Sequence, residues 1–170
     1  SLEAADLYGA TANIGVISNY QPAQGRFITE TEDYRNAQVA FIGADLKQRF
    51  FPTVDPVGKI MYVQGRPFEI VGAAEARGSV FGQSLDEYVI IPMGTYQKMF
   101  GVRVGIGYTG LAIDRFHLEQ AQDEVRMLLR AFRHLRPGQE DNFGLMASDS
   151  LVELWDQLTG AIAATAVAIV

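Results

Sequence analysis

Short apolar runs separated by turn residues fill the first two thirds of the chain, and one long helical period fills much of the last third. Gln38-Val39-Ala40-Phe41-Ile42 is apolar throughout and of strand length, which predicts a buried strand closed by Gly43. Ala44 to Phe51, with Leu46, Phe50 and Phe51 apolar, predicts a short helix stopped before Pro52. Lys59 to Val63 and Phe68 to Val71 predict a hairpin across Gln64-Gly65-Arg66-Pro67, where the glycine can take positive φ. Tyr88 to Ile91 predicts a further strand ended by Pro92, Gly94 to Phe100 a helical turn, and Tyr108 to Ile113 and Phe143 to Met146 two more strands. Ahead of these, residues 12–18 read as a short helix or turn, Pro22 and Gly25 as chain breakers, and Thr29 to Asp33 as an exposed acidic cap or linker. Residues 78–87 have no usable period and carry Gly78 and Gly82, which predicts a loop.

From His117 to His134 the apolar residues Leu118, Ala121, Val125, Leu128, Leu129 and Phe132 fall on one face of a helix. Acidic residues come early on that helix and basic ones late, which complements its dipole. Ser148 to Ser150 can cap a final helix from Leu151, whose second half, Ala161 to Val170, holds no charge. A bilayer-crossing helix needs about 20 apolar residues. A run of ten therefore fits either a buried terminal helix or the beginning of a membrane helix, and Trp155 just ahead of it suits a membrane interface.

Composition narrows the function classes. The 170 residues suffice for one well-buried core, and 48% hydrophobic with 20% charged residues describes a chain that folds. Twenty acidic against 14 basic residues, a net charge of −6, with no clustered basic run, argues against a nucleic-acid partner. The absence of cysteine excludes disulfides, thiolate metal sites and cysteine nucleophiles. Ser1 to Asp6 lacks the basic region and apolar core of an export signal, which leaves a cytoplasmic protein or an internal fragment.

Candidate chemistry is sparse. Gly105-Ile106-Gly107-Tyr108-Thr109-Gly110 matches a dinucleotide fingerprint but lacks the strand before it and the helix opening within it. His117 and His134 lie 17 residues apart, about 25 Å along a helix, too far to share a metal, and read as surface or capping residues. Asp86-Glu87 and Glu140-Asp141 are neighbours in sequence that nothing places across a cleft, and they read as solvated loop residues. No G-x-S-x-G elbow and no G-x-x-x-x-G-K-[ST] phosphate loop occurs. The expectation is a protein that is not an enzyme, with no catalytic, cofactor-binding or metal-binding residue.

The order Val39-Ala40-Phe41-Ile42-Gly43, Phe50-Phe51, Asp55-Pro56-Val57-Gly58-Lys59, then Gly65-Arg66-Pro67-Phe68-Glu69-Ile70-Val71-Gly72 resembles the MacB-like periplasmic core domain of ABC transporter permeases of the FtsX/MacB type. Gly25-Arg26-Phe27, Val89-Ile90-Ile91-Pro92 and the Leu129 to Phe143 ending extend the resemblance over roughly residues 9–155. It implies an α+β, two-lobed extracytoplasmic domain over residues 1–155. A β-rich lobe (about 27–101) would be inserted in a mixed α/β lobe (about 1–26 and 102–150), and residues 156–170 would begin a transmembrane helix. It implies a domain at the inner membrane, periplasmic or extracellular, that transmits ATP-driven motion without chemistry of its own. The implied partners are the membrane-embedded remainder of the permease, a cytoplasmic ATP-binding subunit or domain, a periplasmic adaptor, and a second copy in a homodimer. Phe81 and Gln83, in the glycine-bearing loop, are the candidate partner-facing residues. The alternative is a ligand-binding or sensor module, which a deep pocket with convergent polar groups would favour.

Overall fold

The computed structural model describes residues 5–80, 82–102 and 105–146. The chain divides into two compact units, 1–110 and 111–170, described separately below.

The first unit is built on one mixed six-stranded sheet. Its strands are β1 (Asp6–Ala10), β2 (Pro22–Gly25), β3 (Val39–Ile42), β4 (Ile60–Val63), β5 (Arg66–Ala74) and β8 (Tyr88–Pro92), in the order β1-β8-β3-β5-β2, with β4 also beside β5. β1 runs parallel to β8 and β3 parallel to β5, whereas β3–β8, β2–β5 and β4–β5 are antiparallel. Central β3 is buried at all four positions, which is why it reads as an unbroken apolar run rather than an alternation. Ala40 and Ile42 enter one core with Leu46, Phe68, Ile70, Val89 and Ile91. Val39 and Phe41 enter the other with Ile28, Val71, Tyr88 and Ile90. The register between β3 and β5 shifts between Ala40 and Phe41, where Ala40 faces Ile70 but Phe41 faces Gly72. Val71 lies in the second core, as alternation from Ile70 requires, and the bulge then puts Ala73 in the first core and Ala74 in the second, so strict alternation along β5 fails after Val71.

Helices α3 (Ala44–Phe50) and α4 (Met93–Phe100) contribute Leu46, Tyr96 and Met99 to the first core. The second core is closed by the segment around the short helix α1 (Ile14–Ile17), through Tyr20 and Phe27. The β4–β5 hairpin turns on Gln64 (φ 51°) and Gly65 (φ 76°), the two left-handed positions of a tight two-residue turn.

The expected division at residue 26 does not separate strands. β1 and β2 pair with β8 and β5, so the opening segment and the 27–101 segment share one sheet. Pro22 does not break the chain there; it heads an edge strand, where a missing N–H costs no ladder bond. Close approach at that edge requires glycine, because a Cβ on Gly72 would lie 2.2 Å from the Arg26 carbonyl oxygen.

The acidic stretch is a helix, α2 (Glu30–Tyr34), rather than a linker. Thr29 and Glu32 form a reciprocal capping box, with Glu32 N donating to Thr29 Oγ1 and Thr29 N donating to the Glu32 carboxylate. Arg26 donates to both Glu32 oxygens at 2.7 Å. This guanidinium, first, and the Thr29 donors hold the Glu32 carboxyl down at about 2. The folded value lies below the ordinary 4.5, so the contribution is complete above about pH 4.5 and disappears as pH falls through about 2. With Arg26 half exposed, the expected size is about 1–2 kcal/mol after solvent screening. Urea titrations at a series of pH values should show a flatter acid limb for Glu32→Gln than for the parent chain.

In the second unit a 3-10 turn (Arg115–His117) leads into α5 (Leu118–Phe132). Asp114 accepts from the backbone N–H groups of Phe116 and His117, and the His117 ring holds its carboxyl below the usual range. α5 ends where His134 takes φ 54°, with Leu135 N donating to Arg130 O and His134 N to Ala131 O. His134 is therefore a capping residue, as its position suggested. Arg130 holds the following turn against the helix through Asp141 and the carbonyls of Arg136 and Gln139. No residue of α5 is buried, and on its apolar face Leu128 and Phe132 are 70% and 82% exposed.

Tyr108 to Ile113 and Phe143 to Met146 are irregular, contrary to the strands expected there. Apolar character supplies strand propensity, but a strand also needs a neighbour, and neither segment pairs in the sheets described. The expected membrane-helix start at 156–170 lies outside the described residues. Among those that are described, no helix is long and apolar enough to cross a membrane.

Candidate partner-facing hairpin

Residues 78–87 contain a two-stranded hairpin, β6 (Ser79–Val80) and β7 (Gln83–Ser84), where a plain loop was expected. Ser79 pairs with Ser84 and Val80 with Gln83, and Leu85 N donates to Gly78 O. Gly78 (φ 92°) and Gly82 (φ 79°) take left-handed backbone that other residues rarely adopt. Both strands are exposed along their length, so Gln83 faces solvent; Phe81 lies outside the described residues.

The hairpin is held at its base by Asp86, which is 2% exposed. Its carboxylate accepts from Arg77 N at 2.9 Å through both oxygens and from Gly78 N at 2.8 Å. Asp86 is therefore a buried clamp, not the solvated loop residue that its acidic pair suggested. Its backbone is fixed as well, since Asp86 O accepts from Asp45 N at 3.3 Å at the start of α3. A Cβ on Gly43 would lie 2.1 Å from that oxygen, so only glycine admits the approach. Ser84 Oγ donates to Asp45 Oδ2 at 2.6 Å, tying the returning strand to the same helix start.

Arg77 anchors the other side. Its guanidinium donates to Ser18 O and Asn19 O at 2.7 and 2.9 Å and lies 4.4 Å from the centre of the Tyr20 ring. Tyr20 in turn packs on Phe27, Phe41 and Tyr88, so the hairpin base is continuous with the second core. Glu87, the other member of the acidic pair, is engaged by Arg49 at 2.6 Å. The signal available in the sequence was Arg77-Gly78 followed by Asp86; the distances that link them exist only in the fold.

Tyr88 is buried there with no hydrogen-bond partner for its hydroxyl, and burial pushes its phenol far up, which keeps it neutral. Tyr88→Phe removes an unsatisfied oxygen at constant shape. Thermal unfolding should show it equal to the parent or more stable by about 1 kcal/mol.

The other candidates do not assemble. The glycines at 105, 107 and 110 lie in irregular chain, not between a strand and a helix. Asp141 pairs with Arg126 and Arg130. Among the described residues no group of three or more His, Cys, Asp or Glu side chains could hold a metal ion. A cleft of about 780 Å³ borders Thr11, Asn13, Glu30, Asp33, Tyr34 and Asn36.

A family model described as "MacB-like periplasmic core domain" matches residues 1–128. The chain belongs to that family. The macrolide export ATP-binding/permease protein MacB of Azoarcus sp. (strain BH72) is 33% identical over 131 residues, which are 76% of this chain and 19% of that protein. The pyoverdine export ATP-binding/permease protein PvdT of Pseudomonas syringae pv. syringae (strain B728a) is 27% identical over 129 residues, 74% of this chain and 20% of its own. The chain thus spans about a fifth of the length of these relatives. The crystal structure of the periplasmic region of MacB from Actinobacillus actinomycetemcomitans superposes with a TM-score of 0.65 at 20% identity, covering 88% of this chain and 64% of that one. This likeness establishes the fold, α+β with a mixed sheet, and the hairpin is a feature of that fold as it occurs in this chain.

Proposed function

We propose that this chain is the non-catalytic extracytoplasmic domain of an ABC transporter permease, and that it passes ATP-driven motion from the membrane to a periplasmic adaptor or cargo. The observation that carries the reading is the family match over residues 1–128. The relatives' names, ATP-binding/permease proteins for macrolide and for pyoverdine export, point to export as the work of the whole protein. The physical support is a sheet with packed cores on both faces, which moves as a body and transmits displacement without absorbing it. In this reading residues 156–170 begin a membrane helix in the inner membrane. The cytoplasmic ATP-binding subunit or domain drives that helix, two copies of the permease act together, and the hairpin side of the domain meets the adaptor.

The test is a distance measurement on the intact transporter. The sequence has no cysteine, so Tyr34→Cys, at a side chain 89% exposed, gives one spin-label site per copy of this domain. The distance between the two labels should change between the nucleotide-free and ATP-trapped states. An unchanged distance in a transporter that still exports would overturn the reading. Capture of a small ligand is the second reading, favoured by the cleft beside Asn36; saturable binding that Asn36→Ala abolishes would support it.

A further inference from the structure

We infer that the cleft between residues 11–13 and 30–36 is a binding site for a neutral saccharide. This deepens the second reading above, capture of a ligand beside Asn36, and is independent of the transporter reading. At about 780 Å³ the cleft has the size of a small-molecule site. Its lining differs from the mostly apolar one of such sites, because no branched aliphatic side chain occurs among the described residues that border it. Polar groups and a tyrosine stand there instead. An apolar guest would strip water from those groups and return no hydrogen bond.

The local structure fixes these groups and leaves their bonding capacity unspent. Asn36 takes left-handed backbone (φ 52°), held by its N–H donating to Asp33 O at 3.0 Å and by Ala37 N donating to Glu32 O at 2.9 Å. Its side chain lies against Gly94, where a Cβ would come 1.6 Å from Asn36 Oδ1, so only glycine leaves room for the amide. That amide makes no hydrogen bond and is not sealed from solvent. Asp33 Oδ2 accepts from Ala12 N at 3.0 Å, which fixes the carboxylate and leaves Oδ1 free. Thr11 Oγ1 donates to Asn13 Oδ1 at 2.6 Å, which leaves the Asn13 Nδ2 donors free. Tyr34 is 89% exposed and its ring meets no other ring.

This inventory selects the ligand. The Asp33 oxygen accepts, Asn13 donates and Asn36 does both, which complements the neighbouring hydroxyls of a sugar, each of them donor and acceptor at once. The open face of Tyr34 gives the C–H side of a sugar ring a flat apolar surface. Charge narrows the choice further, since Glu30 and Asp33 oppose an anion and Arg35 beside them opposes a cation. Groups held in place before binding reduce its ordering cost.

The experiment titrates the full chain by calorimetry with maltotriose, cellotriose and chitotriose, and with glycine, tetramethylammonium and inorganic phosphate as probes that are not saccharides. At least one trisaccharide should bind saturably, and its affinity should change less than about twofold between low and high NaCl. Tyr34→Ala and Asn36→Ala should each weaken it about tenfold or more, and Tyr34→Phe less than about twofold. Gly94→Ala, which adds only a methyl group but displaces the Asn36 amide, should weaken it as much as Asn36→Ala. Tyr34→Ala alters an exposed side chain and keeps the fold, so its result stands even where the other variants unfold. Trisaccharide binding that survives in both Tyr34→Ala and Asn36→Ala overturns the site. Binding of glycine, tetramethylammonium or phosphate in place of the trisaccharides, lost in Asn36→Ala, overturns the saccharide and leaves ligand capture standing. Binding of none of the probes overturns the saccharide and removes the support for ligand capture at this cleft, with the transporter reading untouched.

Discussion

Truncating Phe41 to alanine is expected to lower the unfolding free energy by about 3–5 kcal/mol, the range for deleting a fully buried aromatic ring. Phe41 is 0% exposed on the central strand and meets Phe27 edge-on, with ring centres 4.8 Å apart. Val39, Val71, Tyr88 and Ile90, which share its core, sit on paired strands that resist collapse into the space, so a cavity cost adds to the lost transfer energy. Urea unfolding of the whole chain measures the loss; Phe41→Leu, which keeps most of the volume, should cost less than half as much. Phe41 also backs Tyr20, on which Arg77 lies, so Phe41→Ala and Arg77→Ala should be non-additive. Additive losses would show that the hairpin base and the second core are energetically separate.

Asp86→Ala is expected to cost about 2–4 kcal/mol, for a different reason. It leaves the N–H groups of Arg77 and Gly78 without their acceptor and removes the charge-assisted character of those bonds. The loss is bounded because the hairpin above can open to water and let those donors hydrate. Two readouts separate this from a core defect. The tryptic cut after Arg77 should appear under conditions where the parent is intact, and Ser84→Ala, which removes the bridge to Asp45 and the acceptor of Asp86 N but keeps the Asp86 carboxylate, should cost less, about 1–2 kcal/mol. A chain that loses stability without gaining that cut would place the role of Asp86 in β8 rather than in the hairpin.

Much of the fold was legible in particular residues. Val39 to Ile42 had to be buried on both faces, because four consecutive apolar residues leave no polar side for solvent. The turn at Gln64-Gly65 fixed the β4–β5 hairpin, and Thr29 with Glu32 carried a helix start that the acidic composition obscured. The family resemblance was also present in the order of these motifs, since turns and buried strands leave marks at fixed spacing. Pro22 to Gly25 was misread because its strand character comes from a partner some fifty residues away, Gly72 to Ala74. Tyr108 to Ile113 was misread in the opposite sense, being apolar enough for a strand but paired with none in the sheets described.

The sequence by itself determined the local alphabet: buried strands, caps, left-handed turns, and a long amphipathic helix. These depend on neighbours within a few residues, whose spacing is written in the chain. Only the tertiary structure decided that residues 6–10 and 22–25 belong to the central sheet, that β5 changes phase at its bulge, and that Asp86 is a buried clamp rather than a solvated charge. Each of those facts is a contact between segments distant along the chain. Asp86 shows the reason most directly: the backbone it closes on at residues 43–45 is some forty positions away, and nothing in either stretch alone records that they meet.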